Sequence, residues 1–255
     1  MNIEYYILDP AGNITALVTN AVSHKEYKPI ADRIMSINKS VEQVGFVTFG
    51  KNDIKLNMAG DEFCGNAVMS AAALYYYLSG KSGEYKTVVT VLPLGTSVNV
   101  TVKNNGADYQ CQAVFDNPKD ADKCKFSAGG KDYEFDIFSF DGISHIVADD
   151  TLSVTSAKKI IKKLAVEIST PALGIMIYDE KSSDLKPLVY VPASDTLFLE
   201  NSCASGSCAV AYAKAEVGVR TAMTEPGGVI ETQKCADGIR LYTTVKVSKL
   251  CFEEM

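Results

Sequence analysis

The stretch Gly60-Asp61-Glu62-Phe63-Cys64-Gly65-Asn66-Ala67-Val68-Met69-Ser70 passes from a small-residue loop into an alanine-rich run that reaches Leu78. The change of composition predicts a helix over residues 67–78 that opens just after Cys64, with Ser79-Gly80 as its C-terminal stop. A second stretch of the same design, Ser202-Cys203-Ala204-Ser205-Gly206-Ser207-Cys208, leads into a run over residues 209–219. Each half of the chain therefore carries one cysteine at a small-residue turn that opens a helix. The first N–H groups of a helix have no acceptor inside it, and their partial positive charge predicts a sulfur drawn from thiol toward thiolate at both places.

Outward from Cys64, strands are predicted at residues 3–8, 15–18, 44–49, 54–58, 87–92, 97–102 and 109–114. A helix begins near Pro29, with Ile30, Ile34 and Met35 on one face. The turn formers and charges of Asp116-Asn117-Pro118-Lys119-Asp120 mark a boundary, after which the same order of elements starts again. Strands at 133–138 and 144–147 lead to a helix from about Ser156, with Ile160, Ile161 and Leu164 facing inward. Strands at 174–178, 188–191 and 196–199 then precede the second cysteine turn. The reading is two similar halves, 1–117 and 118–255, the last strand free to return to the first half.

The 255-residue length and 47% hydrophobic content are enough for packed cores without staples. A net charge of -6 without blocks of like charge gives no reason to expect nucleic acid or a membrane as partner, which leaves a small molecule. The start Met-Asn-Ile-Glu has no basic leader, no apolar run approaches a membrane span, and seven scattered cysteines fit free thiols in a reducing compartment. The expected location is the cytoplasm. No cofactor motif is present, and no metal is expected: Cys203 and Cys208 lack a second cysteine pair, and the chain has two histidines.

Two thiols that address one carbon from opposite sides are the equipment of a cofactor-free racemase: one sulfur takes the α-proton as thiolate and the other returns one as thiol. With both turns in view the chain resembles the diaminopimelate epimerase fold family, which carries Cys-Gly-Asn in one half and a Cys-Gly-Thr/Ser-Gly motif in the other. Further likenesses are Gly12-Asn13, His145 between Gly142 and Val147, and Pro226-Gly227-Gly228. The resemblance implies an α+β fold of two pseudo-symmetric halves, each an open barrel-like sheet around a central helix, with the active site in the cleft between them. It also allows a homodimer.

Diaminopimelate epimerases hold the distal end of their substrate with a Glu-Arg-Gly segment and with asparagines. Here those places read Ser194-Asp195, Ile143 and Gly174-Ile175-Met176-Ile177, so there is no arginine fork for a second carboxylate. The chain is more similar to the cofactor-independent histidine racemases, in Glu42-Gln43-Val44-Gly45-Phe46, in the residues around Cys64, in Asp179-Glu180 with Pro187-Leu188, and in Glu200-Asn201-Ser202-Cys203. The expected activity is interconversion of L- and D-histidine with Cys64 and Cys203 as the acid–base pair. The alternatives are a diaminopimelate epimerase, a racemase of another amino acid, or a non-catalytic amino acid binder. Backbone amides of Gly65, Asn66, Ala204, Ser205 and Gly206 are expected to hold the substrate carboxylate. The side chains of Asn13, Asn66, Glu42 and Glu200 are expected to contact the ligand, and Cys208 reads as core.

Overall fold

A computed structural model of the protein describes residues 2–51, 53–80, 82–106, 108–193 and 195–254. The chain divides into two units, residues 1–114 with 242–255, and residues 115–241.

The first unit runs through β1 (Asn2–Pro10), β2 (Thr15–Val18), α1 (Tyr27–Ile37), β3 (Gln43–Phe49), β4 (Asp53–Met58), α2 (Gly65–Ser79), β5 (Glu84–Leu92), β6 (Thr96–Asn104) and β7 (Tyr109–Phe115). Neighbours in this series pair in register. β2 with β3 and β4 with β5 are parallel, and the other pairs are antiparallel. α1 starts two residues before Pro29, whose missing N–H falls in the first turn and leaves no ladder bond unmade. It buries one stripe, Ile30, Ala31 and Ile34, and packs on β3. α2 is different in kind. Its Ala67, Val68, Met69, Ala71, Ala72, Ala73 and Leu74 are fully buried, and a helix apolar on every side has to be enclosed. It packs against each strand from β1 to β6 and ends where Gly80 takes the left-handed conformation.

The second unit holds β8 (Asp120–Ala128), β9 (Lys131–Phe140), β10 (Ile143–Asp149), α3 (Val154–Ile168), β11 (Leu173–Asp179), β12 (Asp184–Val191), β13 (Thr196–Leu199), α4 (Ala204–Lys214), β14 (Arg220–Glu225) and β15 (Gly228–Cys235), and starts β16 (Gly238–Val247). β8, β9 and β10 form an antiparallel run. β10 and β11 pair in parallel on either side of α3 in sequence, and β12 lies antiparallel to both β11 and β13. α3 is capped by the Ser153 hydroxyl, which accepts from Ser156 N–H, and buries Ala157, Ile161, Leu164 and Ala165 against β8, β11 and β12. α4 repeats the design of α2: Ala204 to Ala211 are all buried, and the helix packs against β10, β11 and β15.

Residues 245–247 of β16, together with β17 (Cys251–Glu254), pair with β1, through Leu8 with Val247 and Asn2 with Glu254. β16 also pairs with β7, so β1 to β7 and β16 close into an eight-strand barrel. The sheet expected to be open is closed here because the C-terminal strand supplies the missing partner. The class is α+β with a barrel-like sheet around a central helix. Among the described residues, no helix is long and apolar enough to cross a membrane.

Candidate active site

Cys64 is the N-cap of α2, in an extended conformation that turns its sulfur back over the first turn, where it accepts from Ala67 N–H at 3.4 Å. The Sγ–H donates to Gln43 Oε1 at 3.1 Å. The Gln43 amide has only one way round. Its Nε2 donates to Asn13 Oδ1 and to Thr15 Oγ1, so its oxygen is left for the thiol. Asn13 is buried and donates from Nδ2 to Glu42 Oε2 at 3.0 Å. The sequence therefore brings Glu42, Asn13, Gln43 and Cys64 into one hydrogen-bonded chain. The parallel register of Thr15 with Gln43 at the β2–β3 edge makes this possible. Asn66 and Gly65 are buried in the first turn of α2 beside it.

Cys203 is the N-cap of α4 with nearly the same backbone, φ -135 and ψ 101, and is 6% exposed. Its thiol hydrogen-bonds Glu200, which places that carboxylate on the sulfur. The Ser205 hydroxyl lies 3.8 Å from the sulfur and 2.9 Å from His145 Nε2. His145 is wholly buried, and burial lowers its pKa to about 3, so the imidazole is neutral. Room for its ring comes from Gly174, its cross-strand partner, where a Cβ would come within 2.2 Å of His145 Nδ1. Gly206 makes similar room for Met176 and for the Cys203 sulfur.

The expectation of a sulfur drawn toward thiolate fails at Cys203. The Gly206 N–H does favour the anion, but burial together with the charges of Glu200 and Glu225 pushes the thiol well above its usual range. Desolvation outweighs one helix terminus. Cys208 is 1% exposed, and burial raises its thiol as well. Asp195 is occupied at the surface by Lys162 Nζ and the Tyr190 hydroxyl, and Ile143 is buried, so neither serves as a carboxylate clamp. Ser194 lies outside the described residues. Gln43, with Thr15 behind it, and Glu225, with Ser207 on it, are polar groups of the site that the sequence did not single out. Among the described residues, no group of three or more acids, histidines or cysteines is arranged to hold a metal ion.

The family model described as the histidine racemase CntK N-terminal domain matches residues 2–248. The chain belongs to the histidine racemase family. A histidine racemase of Fusobacterium nucleatum subsp. nucleatum is 31% identical over 217 residues, covering 82% of this chain and 80% of that protein. A histidine racemase of Staphylococcus aureus is 27% identical over 265 residues, covering 96% and 93%. In fold, the chain is similar to a predicted epimerase from Pseudomonas aeruginosa, with TM-score 0.71 at 10% identity and 99% of each chain covered. It is also similar to a hydroxyproline epimerase from Agrobacterium vitis, with TM-score 0.67 at 10% identity, covering 98% of this chain and 92% of that one. This histidine racemase-family chain therefore shares its fold with epimerases far removed from it in sequence.

Proposed function

We propose that the protein interconverts L- and D-histidine without a cofactor, with Cys64 and Cys203 as the two proton-transfer groups. The observation that carries the reading is the acceptor held against each sulfur. Cys64 donates to an uncharged amide that cannot take its proton, so it is kept as a thiol, the form that delivers a proton. Cys203 donates to Glu200, whose charge together with burial keeps the sulfur a thiol in the free protein while holding an acceptor in place for transfer of its proton. A substrate that brings a cationic ammonium to Cys203 favours that transfer, because a neighbouring positive charge lowers the cost of the buried anion. In the reverse direction the roles of the two sulfurs exchange. The amides that open α2 and α4 take the substrate carboxylate and the charge that builds on it as the α-proton leaves.

Histidine is the substrate this site suits because Ile143 and Asp195 stand at places where a second-carboxylate clamp would be, and because the Glu42 carboxylate, steadied by Asn13, can accept from an imidazole N–H. Seven free thiols and no disulfide among the described residues fit the cytoplasm. Incubation in D2O with L-histidine, L-leucine or meso-diaminopimelate, and nothing added, tests the reading. Deuterium at Cα and D-histidine are expected, with kcat/KM highest for histidine. A preference for diaminopimelate would overturn the substrate, and a requirement for pyridoxal phosphate or metal would overturn the chemistry.

A further inference from the structure

Glu225 ends β14 immediately before the Pro226-Gly227-Gly228 turn and is 3% exposed. Its Oε2 accepts from the Cys203 backbone N–H at 2.6 Å, and its Oε1 accepts from the Ser207 hydroxyl. The Cys203 N–H lies ahead of the α4 ladder and gets no partner from the helix itself. Ser207 is four residues on, its own N–H bonded to Cys203 O at 2.8 Å. One carboxyl from a separate strand thus clips both ends of the turn that presents the sulfur. A second tie runs alongside, Gly227 N–H to Asn201 O at 2.8 Å.

We infer that Glu225 is the positioning residue of the second thiol: its carboxyl fastens the Cys203 amide to the Ser207 hydroxyl, and its charge sets how readily the Cys203 sulfur ionises. This rests on Cys203 being one of the two proton-transfer groups. The titratable groups coupled to Glu225 are Glu200, Cys203 and Cys208. From the strands packed on α4, β10 supplies the neutral His145, β11 turns Met176 toward Gly206, and β15 buries Thr232 while its Glu231 pairs with Arg220 at the surface. Lys234 of β15 is held at the C-terminal end of α4, where its Nζ donates to Tyr212 O at 2.7 Å. Burial raises the Glu225 pKa to about 8 against the two hydrogen bonds that favour its anion. Its charge therefore appears in the range where the thiol has to ionise, and opposes it.

The pH profile of kcat/KM for L-histidine separates this from a merely structural role. In E225Q the amide oxygen still accepts from Cys203 N–H, and the Ser207 hydroxyl turns to accept from the new NH2 group. The clip survives and the charge does not. The E225Q profile is expected to lose the inflection near about 8 and to move its acid limb down by about one pH unit. E225L removes the clip, leaves the Cys203 N–H bare, and is expected to lose about 10- to 100-fold in kcat with KM little changed. A wild-type profile in E225Q, or a wild-type kcat in E225L, overturns the proposal. If E225L does not fold, the E225Q profile decides alone. C203S is run in parallel. Wild-type racemisation by C203S would remove the thiol assignment itself, whereas an inactive C203S beside an unmoved E225Q profile removes only the role of Glu225.

Discussion

Cys64 and Cys203 share one backbone state, φ -135 with ψ 108 and 101, and the same place ahead of a buried helix. Their acceptors differ, an amide at Cys64 and a carboxylate at Cys203, so the pair is matched in backbone and unequal in chemistry. A serine hydroxyl is far too weak an acid for either task. C64S and C203S are each expected to lower racemisation by about 10²- to 10⁴-fold, the usual worth of a positioned acid or base. C208S, on a thiol buried away from that exchange, is expected to keep most of the activity, read by polarimetry on both enantiomers. Glu42 stands at the other end of the hydrogen-bonded chain that runs through Asn13 and Gln43 to Cys64. Changing it to Gln keeps the shape and removes the charge that strengthens a bond to imidazole, and kcat/KM for histidine is expected to fall about 10- to 100-fold with Tm unchanged.

At the scale of elements, the β10–β11 pair shows how a site group is lodged. His145 and Gly174 face each other in register, and the ring occupies the space a side chain would need. G174A is expected to force the buried imidazole off its Ser205 contact and to cost about 1–3 kcal/mol, measured as a lower urea midpoint together with reduced activity. Such pairings are invisible in a single sequence, because register joins residues 29 positions apart. The helices were legible for a simple reason: α2 and α4 are apolar on every side, and α1 and α3 carry one stripe. β8 was not, since Asp120 to Lys123 are all exposed and give no alternation to read. Gln43 lies in the Glu42-Gln43-Val44-Gly45-Phe46 stretch, and a glutamine at the start of a strand carries no sign in sequence that it accepts from a thiol 21 residues on. Glu225 had a usable signal, for alternation along β14 puts it on the buried side with Met223.

Over the whole molecule, two buried groups pull stability in opposite directions with pH. His145 is held at about 3, below its ordinary 6.5, so the unfolded chain binds more protons in that window and stability is lost as pH falls through it. Glu225 is held at about 8, above its ordinary 4.5, so the folded chain binds more protons there and stability is lost as pH rises. The urea midpoint is expected to decline on both sides of a mildly acidic maximum. In E225Q the alkaline decline should flatten while the acid one remains, and an unchanged alkaline slope would show that Glu225 is not its source.

The barrel of the first unit is sewn from both ends of the chain: β1 lies beside β16 and β17, while residues 115–241 belong to the other unit. Synthesis delivers β1 before the second unit, and its partners β16 and β17 after it. During synthesis one edge of β1 therefore stays bare, with its N–H and C=O groups open to any passing strand, while the whole second unit is made and is free to fold as one contiguous piece. The Cys64 unit therefore stays unfinished until residues 242–247 emerge, and a message cut short before residue 242 yields a chain that cannot close that ring at all.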